Sequence, residues 1–124
     1  MSRVVGLIFS ALVIVLLLVD ASVNLFAPTL LEAEMAAVGF SADLSTGIGL
    51  IVVICAVLYA LPRTAYLGAI LLTGFLGGAI CAHYRVGEVF SSPQITSLVL
   101  GAATWLGLYL RDPRVRALLT GGLR

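Results

Sequence analysis

The sequence predicts an all-α, integral membrane four-helix bundle in up-down-up-down order. Three observations carry that expectation. Of the 124 residues, 61% are hydrophobic and only 10% charged, where a soluble domain carries about 25% charged residues. Four apolar runs, residues 4–26, 44–61, 65–84 and 94–110, approach the ~17 to 25 residues of helix that a bilayer requires. The connections between them are short, which makes neighbouring helices antiparallel. Every backbone N–H and C=O in a spanning segment must be paired internally, so these Ala-, Leu-, Gly- and Ile-rich runs read as helices. Barrel strands would alternate in polarity over about ten residues. Residues 1–124 then form a single membrane domain.

The first run follows Arg3 and ends near the small residues Ala21 and Ser22, a pattern shared with secretory signals. Its apolar length exceeds the roughly 7 to 15 residues of a signal core, and removing it would leave an odd number of spans. It is therefore read as the first span. Asp20 and Asn24 lie one turn apart near its far end, on one face. An Asp facing lipid costs a few kcal/mol.

Residues 28–38 read as a short interfacial helix. Pro28 suits a first turn, Leu31, Met35 and Val38 form one stripe with Glu32 and Glu34 off it, and Gly39 supplies a stop. Ser41 and Asp43 then stand where the second span begins, a position that favours capping oxygens and negative charge. Leu61 to Thr64 is a tight turn.

The third span has the most regular pattern. Ala65, Ala69, Thr73, Gly77 and Cys81 recur at every fourth position, with Gly74 and Gly78 as a GxxxG pair beside them. Small residues at that spacing let backbones approach closely in a membrane. Ala69, Thr73, Gly74, Gly77 and Gly78 are the expected helix-packing residues, and this span is the expected central, most buried one. After the turn residues Ser91, Ser92 and Pro93, the fourth span ends with Trp105 and Tyr109 before Arg111, aromatics suited to an interface. Residues 111–124 form a basic tail fit to lie on an anionic leaflet, with fraying expected at Gly121 and Gly122.

Lysine is absent and arginine sets the orientation. Arg3, Arg63, Arg111, Arg114, Arg116 and Arg124 share one side, and only Arg85 lies on the other. The positive-inside rule places both termini in the cytoplasm of a multi-pass cell-membrane protein. The opposite, outer end collects Asp20, Asn24, Asp43, Ser45, Thr46, His83, Arg85, Glu88 and Gln94.

Asp20, Asn24, His83, Arg85 and Glu88 are the candidate site. In one reading they line a pocket where Asp20 pairs with His83 or Arg85 on a ligand or proton route. In the other, Arg85 snorkels to headgroups and Glu88 caps a loop. Asp20 fits the first better, lying about 9 Å inside the helix end at 1.5 Å per residue. Cys55 and Cys81 differ too much in depth for a disulfide, whose Cα atoms come within about 7 Å, and read as packing residues. HExxH, CxxC, GxSxG and P-loop motifs are absent from the sequence. A single histidine builds no multi-histidine metal site, though one axial haem ligand is compatible. A net charge of +1 with no basic stripe outside the tail speaks against nucleic acid as a partner.

RTAYLGAILLTGFLGGAICAHYRVGE, residues 63–88, resembles the core signature of the DoxX-like family: a P-R-T turn, an L-G-A opening, a glycine-rich helix and an H-x-R-x-G ending. Gly39 and Phe40 before the second span are similar as well. The resemblance covers about residues 20–110. It implies a small four-helix membrane protein linked to membrane redox complexes and quinone chemistry, or to assembly of other membrane proteins. His83, Arg85 and Gly87 match the motif ending, with no established catalytic role implied. Family members often place a lysine where this chain has Asn24. Expected functions are thus a redox or quinone-linked accessory, a structural partner of another membrane protein or homo-oligomer, and a proton-coupled small-molecule exporter. Arginine asymmetry and the off-centre depth of Asp20 count against the exporter.

Overall fold

The computed structural model describes residues 2–121; Gly122 and Arg124, both assigned to the tail above, lie outside them. The fold is all-α. In order come α1 (Ser2–Phe26), a 3-10 turn (Pro28–Leu31), α2 (Glu32–Ala37), a second 3-10 turn (Ala42–Leu44), α3 (Ser45–Ala60), α4 (Ala65–Arg85), α5 (Ser92–Arg111) and α6 (Pro113–Leu119). Among the described residues there is no strand. Two of these helices, α1 and α4, are long and apolar enough to cross a membrane.

The long helices form a ring: α1 packs on α3 and α5, and α4 packs on the same two from the other side. For convenience the two ends of this ring are called the α2 end and the α6 end. The core runs through Val13, Leu17 and Ala21 of α1, Val52, Ala56 and Tyr59 of α3, Ala69 and Leu72 of α4, and Leu108 of α5. Large apolar side chains also cover the outside, including Ile8, Leu12, Val15 and Leu16 of α1, Ile51 and Ile54 of α3, and Leu98 and Val99 of α5.

At the α6 end the helices come close main chain to main chain, whereas at the α2 end Gly49 packs under the side chains of Leu25 and Asn24. A methyl group on Gly6 would sit 2.7 Å from the backbone nitrogen of Arg111 and 2.8 Å from the Gly107 oxygen, while one on Gly68 would strike the backbone of Tyr59. Polar groups are paired there too. The Tyr59 hydroxyl donates to the Thr104 backbone oxygen at 2.7 Å and lies 3.2 Å from the Ser10 hydroxyl. Arg111 donates to the Tyr59 backbone oxygen and lies 4.7 Å over the Tyr59 ring.

Two expectations need correction. The third long helix, α4, is not the central buried one: Thr73, Gly74, Gly77 and Gly78 are exposed, and a methyl on any of the three glycines would meet nothing within 4 Å. Of the expected packing residues Ala69 is in the core, and the Thr73 hydroxyl accepts from the Trp105 indole N–H of α5 at 2.7 Å. The close approaches fall to Gly6, Gly49, Gly68 and Gly107, because spacing does not say whether a small residue touches a neighbour or borders a void. Second, Ser41 and Asp43 do not cap α3; a 3-10 turn intervenes, in which the Ser41 hydroxyl accepts from the Asp43 N–H at 3.4 Å. The basic tail begins with a short helix, α6. The Asp112 side chain accepts from the Arg114 N–H at 2.9 Å, Pro113 occupies the first turn, and α6 buries Val115.

Candidate functional site

At the α2 end the ring opens into a cavity of about 610 Å³, within the usual size of small-molecule pockets, about 300 to 1,000 Å³. Its walls are apolar: Leu16 and Leu17 from α1, Phe75, Leu76 and Ala79 from α4, and Leu100 from α5. Gly74 and Gly78 also line it, so the small residues of α4 make the space instead of filling it. Met35, Val38 and Phe40 close one side, from the short helix α2 and the turn after it.

The polar lining consists of Asp20, Asn24, Glu34, His83, Thr96 and Ser97. Asn24 is buried, and its side-chain amide donates to the Asp20 backbone oxygen at 2.9 Å and approaches the Asp20 carboxylate Oδ2 at 3.4 Å. The one-turn spacing read from the sequence is thus a direct contact. His83 is held from the opposite wall. Its Nδ1 lies 2.6 Å from Oε2 of Glu88, across the turn that follows α4, where Gly87 adopts a φ of 92°. With Glu88 ionised, that nitrogen carries the hydrogen and Nε2 is the ring nitrogen left for a ligand.

Of the five candidate residues, Asp20, Asn24 and His83 share the cavity lining and the other two support it from outside. His83 pairs with Glu88 and not with Asp20. Arg85 pairs with neither acid: it donates to the Val38 backbone oxygen and so ties the end of α4 to the segment after α2. Its guanidinium lies about where a side chain on Gly39 would begin, 3.0 Å from that position. Gly39 also has a φ of 81°, so glycine suits both the turn and the arginine.

Gln94 and Ser45 stand beside the site as fasteners. Gln94 donates to the Ile80 and Glu88 backbone oxygens and accepts from the Ser91 N–H at 3.0 Å, joining the start of α5 to the end of α4. Ser45 donates to the Met35 sulfur and seats α2 on α3. Cys55 is buried and Cys81 exposed, and both are free thiols. Sequence reasoning missed Glu34, Thr96 and Ser97 on the lining. Thr96 and Ser97 had a signal in two adjacent hydroxyls at the start of an otherwise apolar run; Glu34 had none, since helical periodicity places it off the apolar stripe of its helix.

Chemically, the cavity can hold an apolar body and meet its polar edge with a carboxylate, an amide, a hydroxyl and an imidazole. Among the described residues no group of three His, Cys, Asp or Glu side chains is placed to hold a metal ion. Residues 8–107 match the model of a family described as the DoxX-like family. No curated protein and no solved structure matches the chain.

Proposed function

Because the chain belongs to the DoxX-like family, we propose that it is a four-helix integral membrane protein, running up-down-up-down, that binds a small amphiphile at the outer leaflet as a quinone-linked redox accessory. The observation that carries this is the apolar cavity with Asp20, Asn24 and His83 on one lining. The outward Leu, Ile and Val side chains of α1, α3 and α5 support the membrane setting, since so much exposed apolar surface is unfavourable in water. Arg3, Arg63, Arg111, Arg114 and Arg116 at the α6 end support a cytoplasmic position for both termini.

A quinone suits the lining. Leu17, Phe75, Leu76 and Leu100 offer faces for its ring, and the rim offers polar groups for its oxygens. When bound it would supply two-electron, two-proton chemistry. The chain's own residues would hold and receive protons: the Asp20 carboxylate as acceptor, Asn24 to fix that carboxylate, and Glu88 to fix the tautomer of His83. A haem would be held through Nε2 of His83, the nitrogen that Glu88 does not engage.

The test is native mass spectrometry and absorption spectroscopy of protein extracted gently from its own membrane. A stoichiometric quinone that is lost in His83→Ala is the expected result. A His83→Ala protein that stays fully loaded rejects the assignment of this site. A second reading, a structural partner of another membrane protein or a homo-oligomer, is favoured by the open surface at Gly77 on α4; a stable co-purifying chain and indifference to Asp20→Asn would support it.

A further inference from the structure

At the α6 end a second concavity, about 440 Å³, opens among the side chains of Arg3, Arg111, Arg114 and Arg116, with Asp112 as the carboxylate on its lining. The arginines arrive from the first turn of α1, the last residue of α5, and α6. Two of them are anchored. Arg111 is held by the Tyr59 ring and backbone oxygen; Arg116 donates to the Tyr109 and Leu110 backbone oxygens and lies 5.5 Å over the Tyr109 ring. A guanidinium has five N–H donors, so these contacts leave several unspent on each.

Helix-end carbonyls account for where Arg111 and Arg116 sit, but not for the other two. Arg3 is exposed, and Arg114, although it contacts Asp112 and the Pro62 oxygen, has a side chain 73% exposed. Four arginines and one aspartate line a space large enough for a phosphate. One wall is apolar, with Leu7, Ala65 and Leu110, and Leu7 continues onto the outward apolar surface of α1.

We infer that this concavity binds the phosphate of an anionic membrane lipid, with its acyl chains running past Leu7 along α1. Guanidinium groups meet phosphate oxygens in pairs of hydrogen bonds, and basic pockets at the cytoplasmic ends of spanning helices are where anionic headgroups are bound. The inference rests on the membrane reading given above.

Native mass spectrometry in a neutral detergent tests it, with phosphatidylglycerol, phosphatidylcholine and inorganic phosphate as the probes. Phosphatidylglycerol should be retained at fixed stoichiometry, phosphatidylcholine should not, and excess inorganic phosphate should fail to displace the lipid. Arg3→Gln and Arg114→Gln should each weaken retention about fivefold, with helix content by circular dichroism unchanged because both side chains are exposed. Equal retention of the two lipids, or undiminished retention in the double variant, overturns the site. Displacement by inorganic phosphate makes this a soluble-anion site and overturns the lipid as its ligand. Vesicle flotation separates the two proposals: failure to insert rejects the membrane reading, whereas insertion without preference for phosphatidylglycerol rejects only the headgroup site.

Discussion

Glu88 holds His83 from behind: its Oε2 lies 2.6 Å from Nδ1, while the imidazole borders the cavity that Asp20 and Asn24 line from α1. The acid nearest in sequence, not the one on α1, therefore sets which ring nitrogen is left facing the cavity. Glu88→Gln frees the ring to adopt either tautomer. Affinity for a soluble quinone analogue should fall about tenfold, the low end of what a hydrogen bond to a charged group contributes. Equilibrium dialysis in detergent measures it, and parental affinity would show that the tautomer of His83 does not matter to binding.

Two glycine substitutions should behave oppositely. In Gly107→Ala the new methyl would lie 2.8 Å from the Ser10 hydroxyl and 3.1 Å from the Ser10 nitrogen, so the bundle should lose about 1 to 3 kcal/mol in mixed-micelle unfolding. Gly78→Leu projects toward open space on the cavity lining. Its stability should match the parent and its ligand binding should disappear; binding at the parental level would mean that this space is not the site.

Tyr59→Phe removes the hydroxyl that reaches both Thr104 and Ser10. The ring and its contact with Arg111 remain. The expected cost is about 1 kcal/mol, read from the same unfolding titration. Adding Ser10→Ala to the Tyr59→Phe variant should recover part of it by removing the unpaired hydroxyl.

Asp112 supplies a pH dependence outside the apolar helices. Burial works against its charge, but the Arg114 side chain and N–H, with the Val115 N–H, outweigh that and hold its carboxyl below the usual carboxylate range. A depressed acid stabilises the folded state above its ordinary value and ceases to as pH falls through the lower folded value. The start of α6 should thus stay protected near pH 5 and loosen toward pH 3, values bracketing the ordinary Asp pKa of about 3.9. Hydrogen exchange at Val115 and Arg116 follows this, and Asp112→Ala should be loose at both pH values.

The helical architecture was legible because apolar length and the Gly and Pro residues that interrupt it are local properties. Gly39 follows α2 in the left-handed region and Pro93 lies in the first turn of α5. The contact of Asp20 with Asn24 was readable for the same reason, being one turn of one helix. The partner of His83 was not, since choosing between Asp20 and Glu88 depends on how the turn after α4 folds back. Nor did the GxxxG pair reveal whether it closed on a neighbouring helix or bordered a cavity, because a missing side chain permits both. Helix α6 has a local start signal in Asp112 followed by Pro113, which the charge pattern of the tail does not convey.

The distribution of backbone contacts gives the molecule a mechanical polarity. At one end Gly6 rests against Gly107 and Gly68 against Tyr59, main chain on main chain, so the helices there behave as the joined handles of a pair of tongs. The jaws lie at the opposite end, where α1, α4 and α5 surround the cavity through side chains. A rotamer change that widened the jaws would leave those main-chain contacts in place, so entry of the proposed ligand would call for local rearrangement at the far end and not for separation of the helices.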